Sequence, residues 1–193
     1  STLCRMRGGA LKLGQMLSIQ EESLLPKEWI DALQKVRTGA DAMPSEQVDE
    51  VLNKNFCDNT NYSNWEEYMK DVPNGKGIKE FEVRPIAAAS IGQVHRALLY
   101  DDTLVAVKIQ FPGVASGIES DLKNLEMLIR WFGMVPKGVF IKEIIDAGRE
   151  ELTNECDYFK ESASQVRFGK LIESDKELTR KKFSVPKVIE ELT

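Results

Sequence analysis

The sequence predicts an α+β fold in which helices come first, an antiparallel meander follows, and helices return. Three observations carry this. Up to about residue 72, apolar residues recur at helical spacing. At Pro73-Asn74-Gly75-Lys76-Gly77 the texture changes to short alternating runs separated by turn residues. After Pro112-Gly113 the helical period resumes. The expected division is therefore a helical part over 1–72 and a sheet-plus-helix part over 73–193. Three strands joined by short turns need a helix packed behind them, and two candidates follow.

In chain order, Leu3, Ala10, Leu13 and Leu17 predict a first helix over about Thr2 to Gln20, with Gly8-Gly9 as its weak point. Pro26 suits the first turn of a second helix with Trp29, Ile30, Leu33 and Val36 on its apolar face. A third follows Pro44-Ser45, with Val48, Val51, Leu52 and Phe56 at the right period; the asparagine-rich run Asn53 to Asn64 reads as turn and loop. Trp65, Tyr68 and Met69 suggest a short helical turn. Ile78 to Ile86 predicts the first strand, with Phe81 and Val83 alternating against Glu80, Glu82 and Arg84. Ser90 to Tyr100 is the second strand, Asp101-Asp102 the turn, and Thr103 to Phe111 the third strand. Ile118 to Phe132 reads as one amphipathic helix and Ile141 to about Ile172 as a longer one. Phe183 to Ile189 looks like a last strand, with Pro186 favouring an edge.

Composition sets limits. The 193 residues carry a net charge of −5, with 42% hydrophobic and 30% charged residues. An acidic balance argues against nucleic acid as a partner, since that affinity rests on Lys and Arg neutralising phosphates. No apolar run of about 18 residues is present to span a membrane, and the first residues carry no cleavage pattern. Both chain ends look cut. Cys4, Cys57 and Cys156 are odd in number and widely spaced, which fits reduced thiols better than a disulfide frame; no metal-ligand spacing appears. His95 stands alone as a histidine, mid-strand, which is a poor place for a base.

Chemistry concentrates between Pro85 and Gln110. A nucleotide-binding hairpin of the protein-kinase type carries G-x-G-x-x-G-x-V and then a lysine in V-A-I-K. At that spacing Ala87, Ala89 and Gly92 hold the glycine positions, Val94 the valine, and Val105-Ala106-Val107-Lys108 the lysine strand. Glycine permits positive φ and close approach of amides to phosphate, whereas alanine resists both. A loop of Ala87-Ala88-Ala89-Ser90 is therefore stiffer, with Ser90 restoring one donor; a plain tight turn of small residues remains the other reading. Alternation places Leu104, Ala106 and Lys108 on one face. A strand-end lysine is often only an edge charge. Glu155, however, falls in the apolar line Ile141, Ile145, Gly148, Leu152, Phe159, where a carboxylate is costly unless a cation meets it. Glu155 and Asp157 could together hold a lysine or a divalent metal; Glu151 and Glu161 fit a solvated face. Lys12 and Gln15 project from one helix face and could reach one target, or simply form a polar edge.

Four motifs thus stand in order: Lys12-Leu13-Gly14-Gln15, Ala87-Ala88-Ala89-Ser90, Val105-Ala106-Val107-Lys108 and Glu155-Cys156-Asp157. Together they resemble the K-x-G-Q signature, alanine-rich loop, lysine strand and E-x-D element of the UbiB/aarF-domain family of atypical kinase-like proteins, in its mitochondrial coenzyme Q branch. The resemblance implies a protein-kinase-like N-lobe preceded by a helical extension, with the C-lobe absent from these residues. It implies that Lys12, Gly14 and Gln15 lie over the nucleotide pocket against Glu155 and Asp157. It also implies that Lys108 binds ATP phosphates while paired with Glu155, and that Ala87, Ala88, Ala89 and Ser90 line the nucleotide. ATP and Mg are the implied cofactors, the metal ligands belonging mostly to the C-lobe. The implied partners are coenzyme Q biosynthetic proteins and inner-membrane lipid, on the matrix side of the mitochondrial inner membrane. Neither His95-Arg96-Ala97 nor Arg167-Phe168-Gly169 replaces the C-lobe's catalytic loop or D-F-G. The expected function is the ATP-binding part of an atypical kinase or ATPase supporting ubiquinone biosynthesis, not catalytically complete by itself. A non-catalytic scaffold that binds nucleotide or lipid is the alternative.

Overall fold

The computed structural model describes residues 42–88, 91–131 and 141–193. The first two predicted helices, with Cys4, Lys12, Gly14 and Gln15, lie outside them, as do Ala89 and Ser90. Helix α1 (Ser45–Cys57) starts where Pro44 offers its carbonyl to the N–H groups of Gln47 and Val48, both at 3.1 Å. It buries Val48 and Leu52 and runs through Asn53 to Cys57, where a loop was expected. The asparagine itself explains the difference: its Oδ1 accepts the Trp65 N–H at 2.7 Å, so its polar end is satisfied outside the helix backbone. Helix α2 (Trp65–Asp71) is capped by Asn64, whose side chain accepts from Glu67 N–H at 2.8 Å, while Glu67 accepts from Ser63 N–H at 3.0 Å.

Strand β1 (Ile78–Phe81) ends sooner than predicted. The chain bends over 83–84, leaving Val83 half exposed, and then forms β2 (Ala87–Ala88). Both pair antiparallel with β3 (Gly92–Leu99), β1 against Leu99, Leu98 and Ala97, and β2 against Val94 and Gln93. Between them Glu82 N–H donates to Arg96 O at 2.9 Å and Ile86 N–H to Val94 O at 2.8 Å, so the bend interrupts one continuous edge. Strand β4 (Leu104–Gln110) pairs with β3 after the turn at 100–103. Gly77 is required before β1, since a Cβ there would stand 1.7 Å from the Met69 carbonyl oxygen.

Helices α3 (Val114–Trp131) and α4 (Ile141–Cys156) pack on one another. They bury Ile118 and Leu122 from the one and Ile145 and Leu152 from the other, each worth on the order of 2 kcal/mol in apolar transfer. Arg149 Nε reaches Glu119 at 2.7 Å. The long helix expected up to Ile172 is broken. It stops at Cys156, and α5 (Tyr158–Ser174) begins anew with Asp157 as its cap; Phe159 is consequently 74% exposed instead of continuing the buried line. After α6 (Lys176–Arg180), residues 183–189 form no strand; a 3₁₀ turn, Glu190–Leu192, follows. Pro186 supplies no N–H, and its carbonyl is taken by the Gln165 amide at 2.8 Å.

The described residues divide into two compact units. One holds the chain up to Val48 with Val83–His95 and Val107–Cys156, the other Asp49–Glu82, Arg96–Ala106 and Asp157–Thr193. No helix among the described residues is long and apolar enough to cross a membrane.

Candidate functional site

Ala87 and Ala88 form not a loop but the last rungs of a ladder, extended and exposed opposite Val94 and Gln93. Neither has a positive φ. Their alanine identity therefore costs the backbone nothing, and glycine there would only add chain entropy to be lost on folding. The glycine that is retained, Gly92, has a steric reason. A Cβ there would lie 2.4 Å from the Ile109 carbonyl oxygen and 3.1 Å from Gln110 Cα, on β4.

Lys108 comes from the exposed face of β4, with Leu104 and Ala106, while Ile109 points to the core. Next along the strand, the Gln110 amide donates to the carbonyl of Cys156, the last residue of α4, at 3.1 Å. This bond ties the end of the lysine strand to the end of the glutamate helix. The Cys156 thiol registers the same proximity. Burial pushes its pKa up, the Glu155 carboxylate adds to the rise, and the Lys108 ammonium opposes it. The charges of Lys108 and Glu155 thus act on one sulfur. Glu155 is half-buried rather than sealed in the core, because the apolar line ends with α4.

Asp157 has a different task. Its Oδ1 accepts the Lys160 N–H at 3.1 Å, and its Oδ2 stands 3.6 Å from Lys160 Nζ. The continuous-helix reading missed this cap. Missed as well were Gln110, the fully buried Gln93, and the buried hydrogen-bonding role of His95, which the sequence reading judged only as a base. Alternation along β3 was the available signal, since Gln93, His95 and Ala97 share the inward face. Among the described residues no group of three or more His, Cys, Asp and Glu side chains could hold a metal ion. Lys108 on β4 and Ala87-Ala88 on β2 are all exposed, and both strands pair with β3. Phe168 of Arg167-Phe168-Gly169 lies in mid-helix and is 57% exposed.

A family model, the ABC1 atypical kinase-like domain, matches residues 35–193. The chain belongs to this family. The resemblance carried by the four motifs therefore holds, and the antiparallel sheet with its helices is an α+β, N-lobe-like region of an ABC1 protein. The mitochondrial atypical kinase coq-8 of Caenorhabditis elegans is 42% identical over 193 residues, covering 100% of this chain and 23% of its own. The mitochondrial atypical kinase COQ8 of Schizosaccharomyces pombe is 43% identical over 192 residues, 98% of this chain and 28% of its own. In Dictyostelium discoideum a probable serine/threonine-protein kinase, abkA, is 42% identical over 170 residues, 88% of this chain and 27% of its own. The chain thus spans about a quarter of the length of these relatives. Among solved structures, Rv3197 of Mycobacterium tuberculosis in complex with erythromycin is similar at a TM-score of 0.52 and 30% identity, over 98% of this chain and 44% of that one.

Proposed function

We propose that this chain is the ATP-binding part of an atypical kinase or ATPase supporting coenzyme Q biosynthesis, located, as the names of its relatives suggest, in mitochondria and on the matrix side of the inner membrane. In this reading 1–72 is the helical extension and 73–193 the kinase-like N-lobe. Lys108 takes the ATP phosphates and pairs with Glu155, and Ala87, Ala88, Ala89 and Ser90 border the nucleotide. Lys12, Gly14 and Gln15 meet Glu155 and Asp157. Magnesium ligands come mostly from outside these residues, as does the phosphoryl acceptor; coenzyme Q biosynthetic proteins and inner-membrane lipid are the partners. The observation that carries the reading is the Gln110–Cys156 bond, which brings the lysine strand to the end of the glutamate helix. A lysine held by a helix glutamate is how kinase-type folds fix their lysine on phosphate.

The decisive experiment titrates Mg-ATP into the full-length protein and its Lys108→Ala variant. Affinity falls at least about 10-fold, the scale of one lost charge-assisted bond to phosphate, and urea unfolding without nucleotide measures separately what loss of the Glu155 pair costs in stability. Equal affinity in the two proteins sinks the assignment. The 193 residues alone bind ATP weakly and do not hydrolyse it; robust turnover by them contradicts the half-site reading.

A further inference from the structure

Gln93 and His95 are both 0% exposed, lie two residues apart on one face of β3, and take no part in the phosphate chemistry above. Buried polar groups are retained where each is satisfied, and here the satisfaction has a direction. The Met43 N–H donates to Gln93 Oε1 at 2.8 Å, both groups buried. That fixes the amide, so Gln93 Nε2 is the end that faces His95 Nε2, also at 2.8 Å. An amide nitrogen can only donate, so His95 Nε2 must accept and its proton resides on Nδ1. The three groups form a relay from a backbone N–H, through an amide, to an imidazole, in which reversing any one member sets donor against donor.

The relay's place gives it consequence. Gln93 is the β3 residue paired with Ala88, so the amide that holds Met43 grows from the hairpin rung beside the alanine segment. Met43, 5% exposed, precedes helix α1 (Ser45–Cys57) by two residues. We infer that Gln93 and His95 are positioning residues, whose buried relay locks Met43 to the β2–β3 hairpin and so sets where that hairpin stands for nucleotide. The inference rests on the ATP reading for its functional half only. Its structural half, that breaking the relay frees both Met43 and the hairpin, stands apart from it.

The test uses the full-length protein with three variants, Gln93→Leu, His95→Leu and His95→Gln. A glutamine at 95 can return a carbonyl acceptor near the place of Nε2; leucine cannot. Amide hydrogen exchange is followed at Met43 and at Ile86, whose N–H bonds the Val94 carbonyl across the hairpin, and Mg-ATP affinity is measured in parallel. In both leucine variants, exchange at Met43 and Ile86 accelerates about 10-fold, the scale of one unsatisfied buried donor, and ATP affinity falls about 5-fold. His95→Gln brings all three readouts back to within about 2-fold of the unmodified protein, a rescue that mere loss of packing does not allow. If Gln93→Leu fails to fold, the two His95 variants carry the comparison. The relay is overturned by unchanged exchange at Met43 in the leucine variants, or by His95→Gln behaving as His95→Leu. Positioning is overturned if Met43 is freed while Ile86 exchange and ATP affinity stay put. Should the unmodified protein bind no ATP, the function proposed above fails, and the exchange data still decide the relay.

Discussion

Strands β3 and β4 are neighbours in one sheet, yet their exposure differs sharply. Along β3 only Arg96 is exposed, and it lies 3.7 Å from Glu82. Along β4 every second residue is exposed, namely Leu104, Ala106 and Lys108. A strand covered on both faces must satisfy its polar side chains inside the protein, which is what Gln93 does with Met43 and His95. A strand with an open face can offer a lysine to a ligand. On the proposals above, the polar residues buried on β3 act through position, and Lys108 on the open face of β4 through contact.

Substitutions that disturb one strand and spare the other sharpen this contrast. The largest stability effect belongs to Gly92→Ala. Its new methyl meets the Ile109 carbonyl oxygen at 2.4 Å, which forces β3 from β4 and costs on the order of 3 kcal/mol. Urea unfolding measures it, and a loss below about 1 kcal/mol means that the two strands are less tightly seated than the geometry states. Gln110→Ala comes next. Removing the amide that holds the Cys156 carbonyl at 3.1 Å costs about 1 kcal/mol in stability, and it weakens ATP binding through the Lys108 strand. A stability loss with unchanged ATP affinity separates the tie from the lysine's function.

The smallest effect sits in the turn between the strands. Asp101 accepts from Lys76 Nζ at 2.5 Å and from Thr103 N–H at 3.0 Å. These contacts, the Lys76 bond first, hold its carboxyl down from 3.8 to about 2. Because the folded state favours the ionised form, the Asp101 contribution is complete above about pH 4 and is lost as pH falls through about 2. Asp101→Asn lowers the neutral-pH midpoint modestly, the pair being partly exposed, and flattens the acid limb, so that the two proteins converge as pH falls through about 2. Thermal melts across the window that superimpose for the two proteins refute the assignment.

The meander, the lysine strand and the helices α3 and α4 were legible in the sequence because alternation and helical period are strong over seven or more residues. Boundaries were less so. The strand expected to Ile86 bends after Phe81, since charged alternation alone cannot say where a ladder is interrupted. The helix expected through Glu155 to Ile172 breaks at Asp157 because capping chemistry outranked an apolar line that happened to continue. Asp-Tyr-Phe-Lys at 157–160 held that signal. Gln93 escaped notice, and His95 was set aside only as a poor base, because the amide's role shows only through a partner fifty residues away and the imidazole's only through that amide.

The break at Asp157 also sorts two carboxylates that stand only two residues apart. Glu155 lies in the last turn of α4, where aligned peptide dipoles leave partial negative charge and the turn itself holds no basic residue. Asp157 lies at the start of α5, where the dipole is positive and backbone N–H groups point toward it. The two acids of the E-x-D element thus occupy opposite poles of successive helices.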